Sequence, residues 1–264
     1  MPHIAKIFIY PIKSLDGVAV DRATVLSGGA LQYDRELAII DEHGKFVNAK
    51  RQEKIHLVRS QFDLENRIVT LSSPNHAPQV FHLDKERQQM AAWFSDFFGF
   101  HVQLQENLEM GFPDDLNSTG PTVVSTATLA AVAAWFEEDI EQIRRRFRTN
   151  IEIDDTPAFW EDRLFAEEKS EIYSFWLGDV QFDGTYPCQR CPVPTRDALT
   201  GEVYPNFQKI FVNKRSSNLP DWAVTSQFTH FYRLSVNTRI PPSEAGKMLQ
   251  IGNIVALRNP KSLN

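Results

Sequence analysis

The cysteine pair at residues 188 and 191 is the part of the sequence best suited to chemistry. It lies in the stretch YPCQRCPVPTRDALTG, from Tyr186 to Gly201, and the chain of 264 residues has no other cysteine. Two thiols separated by two residues, in a chain otherwise free of cysteine, are more typical of metal binding or redox chemistry than of a disulfide framework.

Four interpretations of the pair are open from the residues alone. A structural zinc ion needs four ligands, and the sequence has no second cysteine pair and no regularly spaced histidines. A thioredoxin-like dithiol opens a helix, which Pro192 and Pro194 disfavour. In a third interpretation, the two thiols simply occur in a loop and have no chemical role. Finally, one thiolate, kept ionised by Arg190 and Arg196, can hold a soft transition metal whose other ligands come from a cofactor.

The elements that must position this loop are predicted to be mainly strands. Short segments rich in β-branched and aromatic residues, such as HIAKIFIY and RIVTLSS, recur between turn signals and indicate a mostly β chain with a few helices, an α+β fold. A helix is predicted from a cap at Asp84 to a stop at Gly99, a second helix after Ser125, and a short basic helix over EQIRRRF.

A polar stretch divides the chain into two predicted units. Residues 106–121, ENLEMGFPDDLNSTGP, lack periodicity and contain glycine and proline. We therefore predict one unit over residues 1–115 and a second over residues 116–264, both within the usual size of a domain.

Composition excludes several classes of partner. The net charge of -6 gives no general attraction to nucleic acid or to an acidic membrane surface. No apolar run approaches the roughly 18 residues of a membrane span, and the N-terminus MPHIAKIFIY lacks the pattern of a signal peptide. We therefore expect a cytoplasmic protein that binds neither nucleic acid nor membranes.

Motifs along the chain resemble those of one family. CQRC, followed by Thr195, Asp197 and Thr200-Gly201, resembles the C-x-R-C and T-x-D-x-x-T-G signature of MOSC domains. IYPIKSLDGVAV and the Asp34-Arg35 pair resemble motifs of the β-barrel domain that precedes them in the family. The segments FVNAKRQEKIHLV, VSTATL, RFRTNI and LQIGNIVAL resemble further family segments, so the likeness covers about Ile4 to Leu257.

Three departures from the family pattern stand out. Thr149 occupies a position where proline is frequent, and the E-D-S-W motif is present only as Glu161-Asp162. The segment LFAEEKSEIY, over residues 164–173, looks inserted before the next strand.

The resemblance implies a MOSC β-barrel preceded by a MOSC N-terminal β-barrel-like domain, and a molybdenum cofactor (Mo-molybdopterin) as ligand. By motif position Cys191 is the molybdenum ligand and a catalytic residue, whereas Cys188 is a packed neighbour. Asp197 is a second catalytic candidate, although it could simply fix the turn before Gly201. The implied cofactor-binding residues are Lys13, Ser14, Arg35, Ser125, Arg148 and Asn150. Ser125 could instead be only a helix cap.

These residues come from both units, so the site is predicted to lie between them. The resemblance to the amidoxime-reducing molybdenum enzymes implies a reductase of small N-hydroxylated or N-oxide substrates. The alternative is a carrier of the molybdenum cofactor or of sulfur. Two cysteines cannot hold a four-cysteine iron–sulfur cluster, and the sequence lacks G-x-G-x-x-G, so electrons are expected from a separate donor protein.

Overall fold

The computed structural model describes residues 1–168 and 171–257 and confirms the predicted class, mostly β with a few helices. The described helices are α1 (Arg87–Phe98), α2 (Thr126–Phe136), α3 (Ile140–Phe147) and α4 (Phe207–Ser217). The strands, in chain order, are β1 (His3–Ile9), β2 (Val18–Val20), β3 (Arg22–Thr24), β4 (Leu37–Asp41), β5 (Arg59–Asp63), β6 (Ile68–Ser73), β7 (His76–His82), β8 (Val102–Glu106), β9 (Val123–Ser125), β10 (Ile151–Asp154), β11 (Tyr173–Leu177), β12 (Val180–Gln189), β13 (Arg233–Arg239), β14 (Met248–Gln250) and β15 (Val255–Ala256).

The largest sheet has eight strands in the order β15-β11-β12-β13-β9-β10-β1-β2. The strand that leads into the cysteine loop, β12, lies near one end of this sheet, and β1 lies near the other. In β1 the register shifts between Ile4 and Lys6, and this bulge keeps both Ile4 and Ile7 on the buried side. The sheet therefore joins the start of the chain to the strands around the cysteines.

A second core, whose buried residues lie between Ile12 and Val102, forms around two smaller sheets. Strand β4 pairs with β8, strands β5, β6 and β7 form a meander, and α1 packs against both. Helix α1 ends as predicted at Gly99, whose φ of 79° is readily adopted by glycine. The predicted cap at Asp84 is wrong: Glu86 occupies the N-cap position, because Arg67 binds the Asp84 carboxylate through Nη2 at 2.7 Å and Nε at 3.1 Å.

The second and third predicted helices are confirmed as α2 and α3. Together with α4 they enclose an apolar cluster that includes Leu129, Phe136, Phe147, Phe207 and Phe211. Within residues 1–168 and 171–257, no helix is both long enough and apolar enough to cross a membrane.

The proposed division at residues 115 and 116 stays a prediction. Strands β1 and β2 precede this boundary in sequence, yet β1 pairs along its length with β10, which follows it. Two residues of the segment 164–173, Lys169 and Ser170, lie outside the described residues, as do residues 258–264 of the predicted second unit.

Candidate functional site

A cavity of about 1020 Å³ lies where residues of both predicted units meet. Eleven lysine and arginine residues line it, but only five aspartate and glutamate residues do. The whole chain has a net charge of -6, so positive charge is concentrated in this cavity. Cations that converge in a partly enclosed space attract an anionic ligand more strongly than the same cations on an open surface.

Lys13 and Ser14 reach the cavity directly after β1. Lys13 is buried, and its Nζ donates to the carbonyl of Phe112 at 2.8 Å and to Asp114 Oδ1 at 2.7 Å. Burial lowers the pKa of Lys13, and the Asp114 carboxylate opposes that shift. Ser14 has a φ of 74°, and its Oγ accepts a hydrogen bond from the Ala49 amide at 3.4 Å.

Arg35 and Asn150 link the two predicted units at the cavity wall. The Arg35 guanidinium pairs with Asp34, lies 3.4 Å from Asn150 Oδ1 and stands over the Tyr10 ring at 5.2 Å from its centroid. Asn150 Nδ2 donates to the carbonyl of Phe8 at 3.1 Å, which ties the residue to β1. Asn150 is only 1% exposed, so these hydrogen bonds fix the orientation of its amide.

Arg148 differs from most other cations of the cavity. It is the C-cap of α3, with a φ of 52°, and its guanidinium stacks on the Tyr10 ring at 4.3 Å from the centroid. Among the described residues, no carboxylate lies within 4 Å of it. Burial, together with the nearby charge of Arg35, lowers the pKa of Arg148. A half-buried arginine without a counter-ion is well suited to bind an anion.

The two cysteines both line this cavity as free, half-buried thiols. Cys188 belongs to the end of β12, and Cys191 follows in the loop, where Pro192 precedes a 3-10 turn over Val193–Thr195. The Arg190 Nη1 contacts Cys188 Sγ at 3.2 Å, whereas no side chain in the described part of the chain donates a hydrogen bond to Cys191. The electrostatic contact predicted for the loop is therefore made with Cys188.

The described residues contain no group of three or more histidine, cysteine, aspartate or glutamate side chains placed to hold a metal ion.

Two of the predicted site residues are not brought to the cavity. Ser125 is fully buried; its Oγ accepts from the Ala127 amide at 3.1 Å, the hydrogen bond of a cap on α2, and its own amide donates to Glu161 Oε2 at 3.2 Å. Asp197 Oδ1 accepts from the amides of Leu199 and Thr200, both at 2.9 Å. Neither residue is part of the cavity wall, since the capped helix and the turn hold both side chains elsewhere.

His56 is a cavity residue that the sequence did not single out. It lies in a 3-10 helix over Glu53–Leu57, is 8% exposed, and its Nε2 is buried without a hydrogen-bond partner among the described residues. Gly201, at a φ of 76°, packs against it: a Cβ there would lie 3.3 Å from His56 Cβ. The family-like segment FVNAKRQEKIHLV contains His56, but only the fold shows that its side chain reaches the cavity.

Comparison with known families agrees with this architecture. The model of the MOSC N-terminal beta barrel domain matches residues 1–142, and the model of the MOSC domain matches residues 121–236. The protein belongs to the MOSC family.

The curated relatives are distant in sequence. The molybdenum cofactor sulfurase of Drosophila mojavensis is 26% identical over 250 residues, covering 83% of this chain and 31% of the sulfurase. The mitochondrial amidoxime reducing component 2 of Macaca fascicularis is 26% identical over 243 residues, covering 76% of this chain and 68% of that protein. This chain thus spans about a third of the sulfurase it matches. The crystal structure of the YUAD protein from Bacillus subtilis aligns with 97% of this chain and 94% of its own at 10% identity, with a TM-score of 0.40.

Proposed function

We propose that this protein binds the molybdenum cofactor in the cavity and reduces N-hydroxylated or N-oxide substrates. The observation that carries the proposal is the electropositive cavity itself, which is lined by Arg148 without a counter-ion and by two free thiols. An anionic phosphate and a thiolate-binding metal are the two features of this cofactor that such a wall would recognise. Its volume, about 1020 Å³, is at the upper end of common ligand pockets.

Residues from both units would hold the phosphate. Lys13, Arg35 and Arg148 supply cationic donors, and Ser14 and Asn150 supply hydroxyl and amide groups that line the same cavity. Arg35 and Lys13 are already paired with Asp34 and Asp114. Arg148 would therefore gain most from a phosphate, because its charge has no other partner. Ser125 has no part in this arrangement, since its hydrogen bonds are those of a helix cap.

Cys191 would hold the molybdenum through its thiolate. When bound, the cofactor supplies the two-electron chemistry, and the protein contributes position and charge. Cys191 is free of hydrogen bonds from described side chains, so its sulfur is available as a ligand, whereas the sulfur of Cys188 contacts Arg190. Asp197 would act as a positioning residue, since it fixes the turn that follows the cysteine loop.

A second candidate is a carrier of the molybdenum cofactor or of sulfur. The contact between Arg190 and Cys188 favours it, because a neighbouring guanidinium stabilises a thiolate or a persulfide. The relatives named molybdenum cofactor sulfurase add support to this alternative.

Turnover separates the two candidates. Cofactor-loaded protein is mixed with a chemically reduced electron donor and an N-hydroxylated amidine, and formation of the amidine is followed by chromatography. Multiple turnovers support the reductase, and a loaded protein without turnover supports the carrier.

We also propose a separate donor protein as the physiological source of electrons, a cytoplasmic location, and no binding to nucleic acid or membranes. Turnover driven by NAD(P)H with the purified chain alone would contradict the separate donor.

A further inference from the structure

Asp115 is the exception among the five carboxylates that line the cavity. The other four each lie within 4 Å of a lysine or arginine, in the pairs Asp16–Arg59, Asp34–Arg35, Asp114–Lys13 and Glu141–Arg144. Asp115 has no lysine or arginine at this distance in the described part of the chain. The cavity therefore holds one carboxylate that forms no ion pair, although many cations share its lining.

Hydrogen bonds fix the Asp115 carboxylate without neutralising it. The Tyr186 hydroxyl and Asn237 Nδ2 both donate to Oδ2, the latter at 3.3 Å, and the Asn117 amide donates to Oδ1 at 2.9 Å. A carboxylate can accept about four hydrogen bonds, so these three leave it with capacity for a further donor. Asp115 is only half-buried and belongs to the cavity lining, so a ligand in the cavity can supply that donor.

The hydrogen bonds also anchor Asp115 close to the thiols. Tyr186 and Asn237 are paired residues of β12 and β13, and Cys188 follows Tyr186 by two positions in β12. Tyr186 and Cys188 both line the cavity, as expected for alternate residues on one side of a strand, whose Cα atoms are about 6.6 Å apart. The carboxylate therefore lies beside the strand that leads into the cysteine loop, where the proposed function places the reaction.

The surroundings of Asp115 indicate which donor it suits. The excess of lysine and arginine in the cavity opposes a cationic ligand, so a neutral N–H group is the better partner for this carboxylate. An N-hydroxylated amidine is a weak base that is neutral at pH 7, and its amino group donates hydrogen bonds. The N-oxide of a tertiary amine has no N–H to donate. The two substrate types of the proposed function therefore differ in the one group that Asp115 can recognise.

We infer that Asp115 is a specificity-determining residue, whose carboxylate accepts a hydrogen bond from the amino group of an N-hydroxylated amidine and thereby favours such substrates over tertiary-amine N-oxides. Tyr186 and Asn237 hold the carboxylate in the orientation that this contact needs. The inference rests on the proposed function for the kind of substrate, and adds to it the residue that selects the substrate and the direction of the preference.

The test is calorimetric titration of the full chain, purified from a host that makes molybdopterin, without any electron donor. The ligands are N-hydroxybenzamidine and N,N-dimethylaniline N-oxide, which share a phenyl ring. Wild type should bind N-hydroxybenzamidine more tightly than the N-oxide. Asp115→Asn should bind N-hydroxybenzamidine at least about tenfold more weakly, since a hydrogen bond to a charged acceptor is lost, and should change N-oxide affinity by less than about twofold.

The ratio of the two affinities separates recognition from a structural role. Asparagine has nearly the size of aspartate and can still accept from the Asn117 amide, and circular dichroism confirms the fold of the variant. A cavity distorted by the substitution would lose both ligands in parallel. Such a parallel loss, an unchanged affinity of Asp115→Asn for N-hydroxybenzamidine, or a wild type that prefers the N-oxide or binds neither ligand would overturn the inference.

Glu141→Gln is the matched control. It removes another carboxylate from the cavity lining, but one that is already paired with Arg144. Its affinity for N-hydroxybenzamidine should stay within about twofold of wild type. A loss equal to that of Asp115→Asn would show that any negative charge in the cavity has the same effect, and would overturn the assignment to Asp115.

Binding and turnover together separate this inference from the proposed function. If wild type binds N-hydroxybenzamidine through Asp115 but does not reduce it when a chemically reduced donor is added, the reductase is wrong and the recognition residue stands. If wild type reduces N-hydroxybenzamidine and Asp115→Asn binds it equally well, the reductase stands and the role of Asp115 is wrong.

Discussion

Arg144 in α3 and Arg148 at its C-cap both line the cavity, but their guanidinium groups have different partners. Arg144 binds Glu152 with two hydrogen bonds, at 2.7 and 2.9 Å, and the Glu152 side chain has no exposed surface. Arg148 meets the ring of Tyr10 and no carboxylate of the described chain. Both residues are arginines of the same basic segment, RRRFR, so their types alone do not distinguish them.

The difference indicates which cations hold the fold and which are free for a ligand. Burying a charge is costly unless it is paired, and a protein that partly buries one without a partner gains stability when an anion binds to it. Arg144 is part of the folded framework, because its charge is matched within the chain. Arg148 has the character of a binding residue, since its charge remains to be matched.

The largest effect is expected from removing the paired arginine. Arg144→Ala leaves Glu152 buried without its partner, so the free energy of unfolding should fall by about 3–5 kcal/mol. Urea unfolding followed by circular dichroism measures this loss. Arg145→Ala is the control from the neighbouring, exposed position and should change stability by less than about 0.5 kcal/mol. Equal stability of the Arg144 and Arg145 variants would show that the pair with Glu152 is dispensable.

The cysteines allow the same contrast to be drawn between two thiols. Cys191→Ser replaces a soft ligand by a hydroxyl that is poorly ionised, so reductase activity should fall at least about a hundredfold, or about 2.7 kcal/mol in activation free energy. Cys188→Ser should keep its molybdenum and most of its activity. Metal content, visible spectrum and substrate reduction are compared for the two variants. An inactive Cys188→Ser beside an active Cys191→Ser would reverse the assignment, and two inactive variants would favour a dithiol mechanism.

Removal of the unpaired arginine should affect the ligand and not the fold. A charge-assisted hydrogen bond contributes about 1.5–3 kcal/mol, so Arg148→Ala should lower cofactor retention after dialysis by about tenfold or more. Its urea midpoint should stay close to that of wild type when both are free of cofactor. If the folded variant retained the cofactor fully, Arg148 would line the cavity without contributing to cofactor binding.

An effect on the pH dependence of stability is expected from a buried carboxyl without a cation. Glu161 accepts from Thr128 Oγ1 at 2.9 Å but has no lysine or arginine within 4 Å in the described structure, unlike Glu152. Burial and the nearby Asp162 raise the pKa of Glu161 from 4.5 to about 8. The folded state therefore holds this proton more tightly than the unfolded state does, and the associated stability is complete below about pH 4.5 and is lost as the pH rises toward 8.

Glu161→Gln removes this titration. Its free energy of unfolding should change less between pH 5 and pH 8 than that of wild type, which should fall as the pH rises. Urea unfolding at the two pH values measures both. Parallel pH profiles for the two proteins would show that Glu161 has an ordinary pKa in the folded state.

Local pattern was sufficient to predict much of the fold. The stop signal at Gly99 correctly predicted where α1 ends, and Ser125 was recognised as a capping residue of α2. The N-cap of α1 was misplaced because the competing partner of Asp84, Arg67, is 17 residues away in sequence and adjacent only in the folded chain. Such tertiary contacts leave no periodic signal.

The candidate site shows the same limit. Motif positions identified Lys13, Arg35, Arg148 and Asn150, which the fold gathers at one cavity. Motif position could not tell a residue that faces the cavity from one that supports it, as Ser125 shows. Nor could it reveal His56, whose position depends on the packing of a short 3-10 helix against the turn at Gly201.

Metal analysis of the wild-type protein tests the central claim most directly. The protein is purified from a host that makes molybdopterin, and molybdenum and zinc are measured by mass spectrometry against protein concentration. If the electropositive cavity holds the molybdenum cofactor, we expect close to one molybdenum per chain and little zinc. A preparation with zinc and no molybdenum would contradict it.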